Sequence, residues 1–551
     1  MPVEISKINN SLAKIEWIFD ANEPHNQNPL VLLDNIYALH PDGYQFDPKY
    51  IKRRFTKYDG KIHLFKLYSN SIPLGLVKEV ISVLKKYNWN VKYDPSIFSS
   101  LRDNNDYSEL IKSFCNAIEK ATSMSPRDYQ IKILELALKH KRACFRAATG
   151  AGKSLAIYMI VRFFLKKFGD DQKFLILVPT KILVNQLYQN FKDDYQWLTL
   201  GEHVGMYHSE FTPKQRKETL TKRVVISTWQ SMGSLLKNKE NVHLFEQFSC
   251  LIVDELHTAK KEMSMINDVV RSCVNANYRF GLTGTIPRNE LDIKTIIGNF
   301  GDIHQIISSK ELIDRGELTK ATIFEVRVPY DKYTIDLCRK SKIKVEEERE
   351  LIRLTGSTQR AISELINNGN IYKEENTLIL VKQVANGEHA NMVEYLKNNH
   401  PEFQIESING TIKMGDREEI RLGVENRHGV IIVATYKTFG TGVNMKNLHN
   451  IVFASSTKSY FSILQSIGRS LRLHSSKNTA KVYDLHHYIH DEYISRRTHE
   501  QKIFDSNISM HYAEREKYYY EEEYPIEIIN IKNISSFNGI VISNIIEDDS
   551  D

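Results

Sequence analysis

The sequence predicts an α/β fold in which two parallel-sheet units follow one another, with a small α+β domain ahead of them and a short helical segment behind. Three observations carry that prediction. Short, near-continuous apolar runs alternate with helical stretches over residues 143–285, and the same style recurs over 377–485. Runs without polar alternation mark strands covered on both faces, as in parallel sheets. The octapeptide A-A-T-G-A-G-K-S (147–154) sits between one such run and an apolar helix pattern, and the two ends of the chain lack the alternation altogether.

In chain order, residues 1–98 hold short strands and the turn D-G-K at 59–61, and the polar stretch S-S-L-R-D-N-N-D (99–106) reads as a linker. The first α/β unit, 107–300, has strands at Ala143–Ala147, Phe174–Val178, Val224–Ser227, Cys250–Asp254 and Tyr278–Leu282, with a helix from Lys153 through Leu165. The second, 301–490, has strands at Thr377–Val381, Val430–Thr435, Ile451–Ser455 and Ala480–Leu485. Residues 339–353 are dense in Lys, Glu and Arg and read as a solvated helix. Beyond 490 the chain turns polar and helical, with K-Y-Y-Y-E-E-E-Y (517–524) as a helix docked on the second unit and an acidic end, E-D-D-S-D. Ligands of such sheets are expected at the C-terminal ends of the strands.

Of the 551 residues, 41% are hydrophobic and 26% charged, an ordinary soluble balance. No apolar run is long enough to span a bilayer. The N-terminal M-P-V-E-I-S-K-I-N-N lacks the layout of a signal peptide, so cytoplasmic residence is expected. Five cysteines (115, 144, 250, 273, 338) form no C-x-x-C pair, which argues for a reducing compartment and against structural zinc. His486-His487-Tyr488-Ile489-His490 reads as a partly exposed helix end rather than a metal site. Net charge is only +6, so its distribution says more: K-Y-I-K-R-R-F-T-K-Y-D-G-K (49–61) gathers Arg53, Arg54, Lys57 and Lys61. A basic run is ordinarily a solvated face. Here Tyr44, Tyr50, Phe55 and Tyr58 interleave with it, and that mixture suits nucleic acid, because aromatics stack on bases while cations hold phosphates.

Three motifs carry chemistry. In the octapeptide, Gly150 and Gly152 let the backbone curl so that the N–H groups of residues Ala148, Thr149, Gly150, Ala151 and Gly152 converge at a helix N-terminus. Lys153 then reaches the β- and γ-phosphates of a nucleotide, and Ser154 offers its hydroxyl to Mg²⁺. The usual first glycine is Ala147. The second motif, Asp254-Glu255-Leu256-His257, follows an apolar strand. Asp254 there can hold Mg²⁺ through water, and Glu255 can orient or deprotonate an attacking water, with His257 beside them in the candidate catalytic set. The third is Gln465-Ser466-Ile467-Gly468-Arg469-Ser470-Leu471-Arg472, which puts Arg469 and Arg472 three residues apart on one helical face. Arginines on a different unit from Lys153 would make hydrolysis depend on closure, and such a group is worth about 10³-fold in rate or more.

Together with T-G-T (Thr283–Thr285), these motifs in this order resemble a superfamily 2 helicase or translocase. That resemblance implies two RecA-like domains, ATP and Mg²⁺, and further site residues. Arg127-Asp128-Tyr129-Gln130 resembles the segment whose glutamine reads adenine, which assigns Arg127 and Gln130 to the nucleotide. Val178-Pro179-Thr180-Lys181 and Ser227-Thr228-Trp229-Gln230 resemble nucleic-acid-contacting loops, which assigns Thr180, Lys181, Thr228 and Gln230 to the strand. Ala434-Thr435 and Gly440-Thr441-Gly442-Val443-Asn444 resemble the motif that touches both, giving Thr435 to the strand and Gly442 and Asn444 to the nucleotide. Ala147 and Ser466, where many relatives carry arginine, are departures that remove no phosphate ligand. A narrower likeness lies in D-G-Y-Q-F-D-P-K-Y (42–50), Y-D-G-K-I-H-L-F (58–65) and P-L-G-L-V (73–77), similar to the UvsW-type recombination helicases of T4-like phages. It implies an N-terminal DNA-binding domain and action on Holliday junctions, forks, D-loops and R-loops. DNA or RNA–DNA hybrids are then the expected partners, with recombination or single-strand-binding proteins beside them and the chain a monomer. The competing expectations are a double-strand translocase serving a nuclease or restriction complex, for whose nuclease residues 491–551 leave little room, and a non-enzymatic annealing protein.

Overall fold

A computed structural model describes residues 2–18, 28–51, 59–99, 101–122, 124–169, 172–259, 264–330, 344–382, 387–410, 412, 419–420, 423–440, 445–488, 491–494, 501–504 and 506–531. The chain divides into two compact units, Met1–Ser308 and Ser309–Asp551.

The first unit holds two main sheets, besides the short antiparallel pair of Ala38–Leu39 with Ile62–His63. The smaller has strands β1 (Pro2–Lys7), β2 (Leu12–Trp17), β3 (Ser71–Pro73) and β4 (Asn90–Tyr93) in the order β3-β2-β1-β4. Helix α1 (Val77–Lys86) covers it, its apolar face Val77, Val80, Ile81 and Leu84 buried and its Lys residues outward. Their core also takes in Leu291 of α5 (Glu290–Phe300), a helix of the larger sheet's layer. The P-L-G-L-V motif makes that joint: a Cβ on Gly75 would lie 2.0 Å from the Ile297 carbonyl oxygen, so only glycine permits the approach. Two buried arginines close the other side. Arg279 donates to Ser11 Oγ (2.7 Å) and to the Cys273 carbonyl (2.7 Å), and Arg142 donates to the Asn10 carbonyl. The stretch read as a linker lies against the larger layer, with Asp103 N–H on the Lys139 carbonyl (2.8 Å) and Lys141 N–H on that of Leu101 (3.1 Å).

The larger sheet is entirely parallel. Its strands are β5 (Arg142–Ala147), β6 (Phe174–Val178), β7 (Val204–Tyr207), β8 (Val224–Thr228), β9 (Cys250–Asp254), β10 (Tyr278–Thr283) and β11 (Ile303–Ile307), in the order β11-β5-β10-β9-β6-β8-β7. Helices α2 (Asp128–Lys139), α3 (Lys153–Phe168) and α4 (Lys181–Gln189) belong to the same layer. The second unit repeats the plan with β12 (Lys320–Pro329), β13 (Thr377–Val381), β14 (Gln404–Ile408), β15 (Val430–Thr435), β16 (Asn450–Phe453), β17 (Thr479–Tyr488) and β18 (Ile526–Asn530), ordered β14-β15-β13-β16-β17-β12-β18 and again all parallel. Its helices include α6 (Val345–Thr355), α7 (Tyr460–Ser470) and α8 (Asn507–Glu521). Both expected parallel sheets are therefore present, and among the described residues no helix is long and apolar enough to cross a membrane.

Three local expectations change. His486 and His487 lie on β17, not at a helix end. Alternation along the strand turns His487 inward, where Thr358 Oγ1 lies 3.3 Å from Nε2, and His486 toward Glu325 (2.7 Å) and Ser509 (3.0 Å). His490 lies outside the described residues. The charged helix expected at 339–353 is α6 from Val345 on, but it is not solvated all round: Glu348, Leu351 and Ile352 are buried. Glu348 is satisfied there by the Tyr330 hydroxyl (2.8 Å) and the Ile508 N–H (3.3 Å). The C-terminal segment is also not purely helical, since it forms the pair Asp491–Ile494 with Gln501–Phe504 and adds β18 to the sheet. The tyrosines of α8 do dock: Tyr518 and Tyr519 are buried, and Arg515 forms a bidentate pair with Asp484 (2.8 Å each), to which the Tyr519 hydroxyl also donates (2.7 Å).

Candidate nucleotide and nucleic-acid sites

The phosphate loop leaves the C-terminal end of β5 and enters α3, as the octapeptide requires. Gly150 and Gly152 have φ of +91° and +72°, a region costly to side-chain-bearing residues. Lys153 Nζ lies 3.3 Å from the Ala147 carbonyl oxygen and 3.4 Å from that of Ala148, so its ammonium already sits within the loop. Gln130, assigned to adenine by resemblance, is 4% exposed and braces this loop. Its Nε2 donates to the Ala151 carbonyl (3.0 Å) and the Gly152 carbonyl (3.4 Å), and its Oε1 accepts from Arg127 N–H (3.0 Å). Arg127 itself reaches the Tyr129 hydroxyl (2.7 Å).

Strand order brings the other motifs beside it, because β10 separates β5 from β9. The T-G-T turn after β10 abuts the phosphate loop: a Cβ on Gly284 would be 3.3 Å from Thr149 Oγ1. At the end of β9, Asp254 Oδ1 accepts from the Glu255 N–H (3.0 Å), and Glu255 has φ of +52°, rare for a residue with a side chain. His257 Nδ1 lies 3.3 Å from Glu255 Oε2 and 3.2 Å from Thr283 Oγ1, so it links the second motif to the T-G-T turn. Burial, together with the Glu255 carboxylate, pushes the Asp254 carboxyl up to about 6 against the pull of Lys153. A buried carboxyl within the field of Lys153, together with the Ser154 hydroxyl of the phosphate loop, is a donor set that fits Mg²⁺, which takes few protein ligands and completes its shell with water and phosphate oxygens.

Two residues that the sequence reading missed touch Ser154. Tyr195 OH lies 2.9 Å from Ser154 Oγ, and Asn190 Nδ2 lies 3.5 Å from it. No local pattern announces a contact 41 residues away along the chain.

The strand-contact candidates occupy the next strands along. Thr180 caps α4, accepting from the Leu183 N–H (3.3 Å), and Thr228 caps the helix Trp229–Leu236, accepting from the Ser231 N–H (3.2 Å). Gln230 Nε2 donates to the Pro179 carbonyl (3.2 Å) and thereby ties the two caps together. Lys181 reaches Glu210 (3.1 Å). Two adjacent helix N-termini flanked by a lysine suit phosphate oxygens. In the N-terminal sheet's layer, His40 stacks on Tyr44 (3.8 Å) and Tyr50 meets Tyr44 edge-on (5.0 Å), with Lys61 described nearby in sequence. Arg53, Arg54 and Lys57 lie outside the described residues, as do Gly442 and Asn444.

In the second unit Thr435 ends β15, its hydroxyl 2.8 Å from that of Thr438. Gln465 and Arg469 stand one turn apart on α7 and are half-buried, whereas Arg472 lies beyond the helix end at Ser470 rather than on its face. Its carbonyl accepts from Thr319 Oγ1 (3.2 Å). Ser466 is buried with Oγ donating to the Ser462 carbonyl (2.7 Å). Lys477 holds the helix end from below, donating to the Ser470 carbonyl (2.6 Å), and burial with Arg472 nearby lowers its ammonium to about 7.

Comparison with known proteins agrees with this layout. The chain matches the family models of the N-terminal domain of the DNA helicase UvsW at 23–94, the res subunit of type III restriction enzymes at 123–288 and the helicase conserved C-terminal domain at 357–474. It is 29% identical over 463 residues to the ATP-dependent DNA helicase uvsW of Enterobacteria phage T4, spanning 82% of this chain and 86% of that one. The crystal structure of T4 UvsW aligns with 96% of this chain and 99% of its own at 24% identity and a TM-score of 0.46. The DNA-bound helicase MrfA aligns with 75% of this chain and 51% of its own at 16% identity and a TM-score of 0.53, a likeness of fold.

Proposed function

We propose that this chain, an ATP-dependent superfamily 2 DNA helicase resembling UvsW, remodels branched DNA (Holliday junctions, forks, D-loops and R-loops) in recombination, repair and replication restart. The observation that carries the reading is the joint between the two sheets of the first unit. The region matching the UvsW N-terminal domain shares a core with α5, and α5 begins five residues after the T-G-T turn that touches both Thr149 and His257. A junction-binding domain mounted there senses the same body that holds the nucleotide. In this reading Lys153 and the loop N–H groups hold the phosphates, and Ser154 and Asp254 hold Mg²⁺, which supplies charge neutralisation at the phosphate oxygens. Glu255 orients the attacking water and accepts its proton, with His257 holding the carboxylate in place. Gln465, Arg469 and Arg472 are the proposed γ-phosphate residues. Thr180, Lys181, Thr228, Gln230 and Thr435 grip the strand through phosphates, which fixes position without reading sequence.

Branch migration forms a pair for each one broken, whereas plain unwinding costs on the order of 1.4 kcal/mol of stacking per step. Junctions are therefore the easier task for a compact motor. The test is ATP hydrolysis and product formation on matched fork, Holliday junction, R-loop and plain duplex at one salt concentration. Junction-stimulated hydrolysis that disappears in Lys153→Ala is expected, and equal activity on plain duplex would sink the junction reading. The match to the res subunit favours one alternative, a double-strand translocase serving a larger nuclease complex. Triplex displacement without strand separation would favour that alternative.

A further inference from the structure

We propose that Tyr195 and Asn190 are positioning residues for the Ser154 hydroxyl, and that they link strand binding at the start of α4 to cation-assisted nucleotide binding at the phosphate loop. The inference rests on the nucleotide and strand roles proposed above. Its atoms lie within the first unit. A serine hydroxyl has one proton to donate and two lone pairs. If Tyr195 and Asn190 both donate to Ser154 Oγ, both lone pairs are filled and the oxygen cannot ligate a cation. If Ser154 instead donates to Tyr195 OH, one lone pair is open, and the phenol as acceptor is what aims it away from Tyr195. The direction of a single 2.9 Å hydrogen bond thus sets whether Ser154 is a competent ligand.

Tyr195 is built to hold that choice. It is 6% exposed, its N–H donates to the Asn190 carbonyl (2.9 Å), and its carbonyl accepts from the Tyr158 hydroxyl (3.1 Å). Its ring packs on that of Tyr158 (4.9 Å), one helical turn beyond Ser154 on α3. A phenol can either donate or accept. Asn190–Asp194 is a single π-turn that continues α4 directly, and such turns recur at functional sites. The N-terminus of that helix is Thr180 and Lys181, the strand-contact candidates. Some fourteen residues of continuous helix, roughly 20 Å, therefore join the phosphate-gripping end to the oxygen that ligates the cation.

The test is Tyr195→Phe in the full chain, which keeps the ring and removes the hydroxyl, with Asn190→Ala as the second variant. ADP binding is measured by calorimetry without Mg²⁺, with Mg²⁺, and with Mg²⁺ plus a DNA fork, and thermal unfolding without nucleotide checks the fold. In the wild type, Mg²⁺ tightens ADP binding and the fork changes that gain. In Tyr195→Phe the Mg²⁺-free affinity stays as in the wild type, the unfolding temperature falls by no more than one buried hydrogen bond is worth, the Mg²⁺-dependent gain falls roughly three- to tenfold, and the fork no longer changes it. A gain within twofold of the wild type overturns the positioning role. A reduced gain that still responds to the fork overturns the link. Failure of the wild type itself to bind ADP with Mg²⁺ would instead overturn the nucleotide-site reading beneath both.

Discussion

Gln130→Met separates two roles that family resemblance and geometry assign to one side chain. Resemblance makes Gln130 the reader of adenine, whereas in the structure its Nε2 is committed to the phosphate loop through two hydrogen bonds at 3.0 and 3.4 Å, and its Oε1 accepts from the Arg127 N–H at 3.0 Å. Methionine has nearly the same volume and no amide, so the buried site stays filled while all three bonds are lost. At about 1 kcal/mol net for a well-formed bond, and less for the longer one, the two loop bonds are worth about 1–2 kcal/mol. If that energy holds the loop in its binding shape, nucleotide affinity falls about 5- to 30-fold, since each 1.4 kcal/mol is tenfold. Tripolyphosphate with Mg²⁺ has no base, which makes it the deciding ligand. Calorimetric titration with ADP and with tripolyphosphate should show the same fold-loss for both. A tripolyphosphate affinity within threefold of the wild type, beside a large loss for ADP, would refute loop bracing and leave base reading.

Other substitutions test other parts of the molecule. Gly152→Ala forces a Cβ into left-handed backbone at φ +72° and within 2.3 Å of Gln130 Nε2; strain of about 1–2 kcal/mol before the clash should weaken ADP binding more than tenfold while circular dichroism is unchanged. Asp484→Leu leaves the Arg515 guanidinium buried without its partner and should cost about 3–5 kcal/mol, read as a lower thermal transition and faster hydrogen exchange across Asn507–Glu521, with much of the loss recovered in Asp484→Leu/Arg515→Met. A single-substitution cost below 1 kcal/mol would show that the pair does not anchor α8. Burial lowers the His487 imidazole to about 3, below its unfolded value near 6.5, so its contribution to stability is complete above pH 6.5 and is lost as pH falls toward 3. At pH 5 that loss is about 2 kcal/mol, and urea unfolding at pH 7 and pH 5 should show it in the wild type and not in His487→Gln.

The strands that sequence reasoning found were those whose environment is uniform. F-L-I-L-V at 174–178 is buried at all five positions, and no polar register competes with that reading. The edge strands were illegible for the converse reason. I-H-Q-I-I at 303–307 and I-E-I-I-N at 526–530 are half-exposed, so neither a continuous apolar run nor a clean alternation marks them. His487 misled because a histidine beside another histidine and a Tyr looks solvated, yet the strand's two-residue period buries one of the pair. The nucleotide motifs were legible because their chemistry is local: the loop, its lysine and its serine are consecutive. What holds them is not. Gln130, Asn190 and Tyr195 reach the loop and its serine from 21 to 41 residues away in the chain, and only the order of the strands makes them neighbours.

That order also separates two tasks on one rigid body. Consecutive strands β5, β10 and β9 end in the nucleotide motifs, and β6 and β8, the next two, end in the proposed strand-gripping caps. At about 4.8 Å per strand the span from β5 to β8 is roughly 19 Å, across strands joined by a continuous parallel ladder. Such a sheet cannot signal by changing its own pairing, so any change passed between the tasks must run through the segments beyond the strand ends. Two departures from ideal geometry lie in those segments: Glu255 at φ +52° and the π-turn at Asn190–Asp194. A residue held at positive φ without being glycine costs on the order of 1 kcal/mol or more and persists only where its surroundings over-determine it. Asp254, His257 and Thr283 are those surroundings for Glu255, and each of them belongs to the candidate nucleotide site. The strain therefore sits on the carboxylate proposed to aim the attacking water, where a fixed aim would serve hydrolysis.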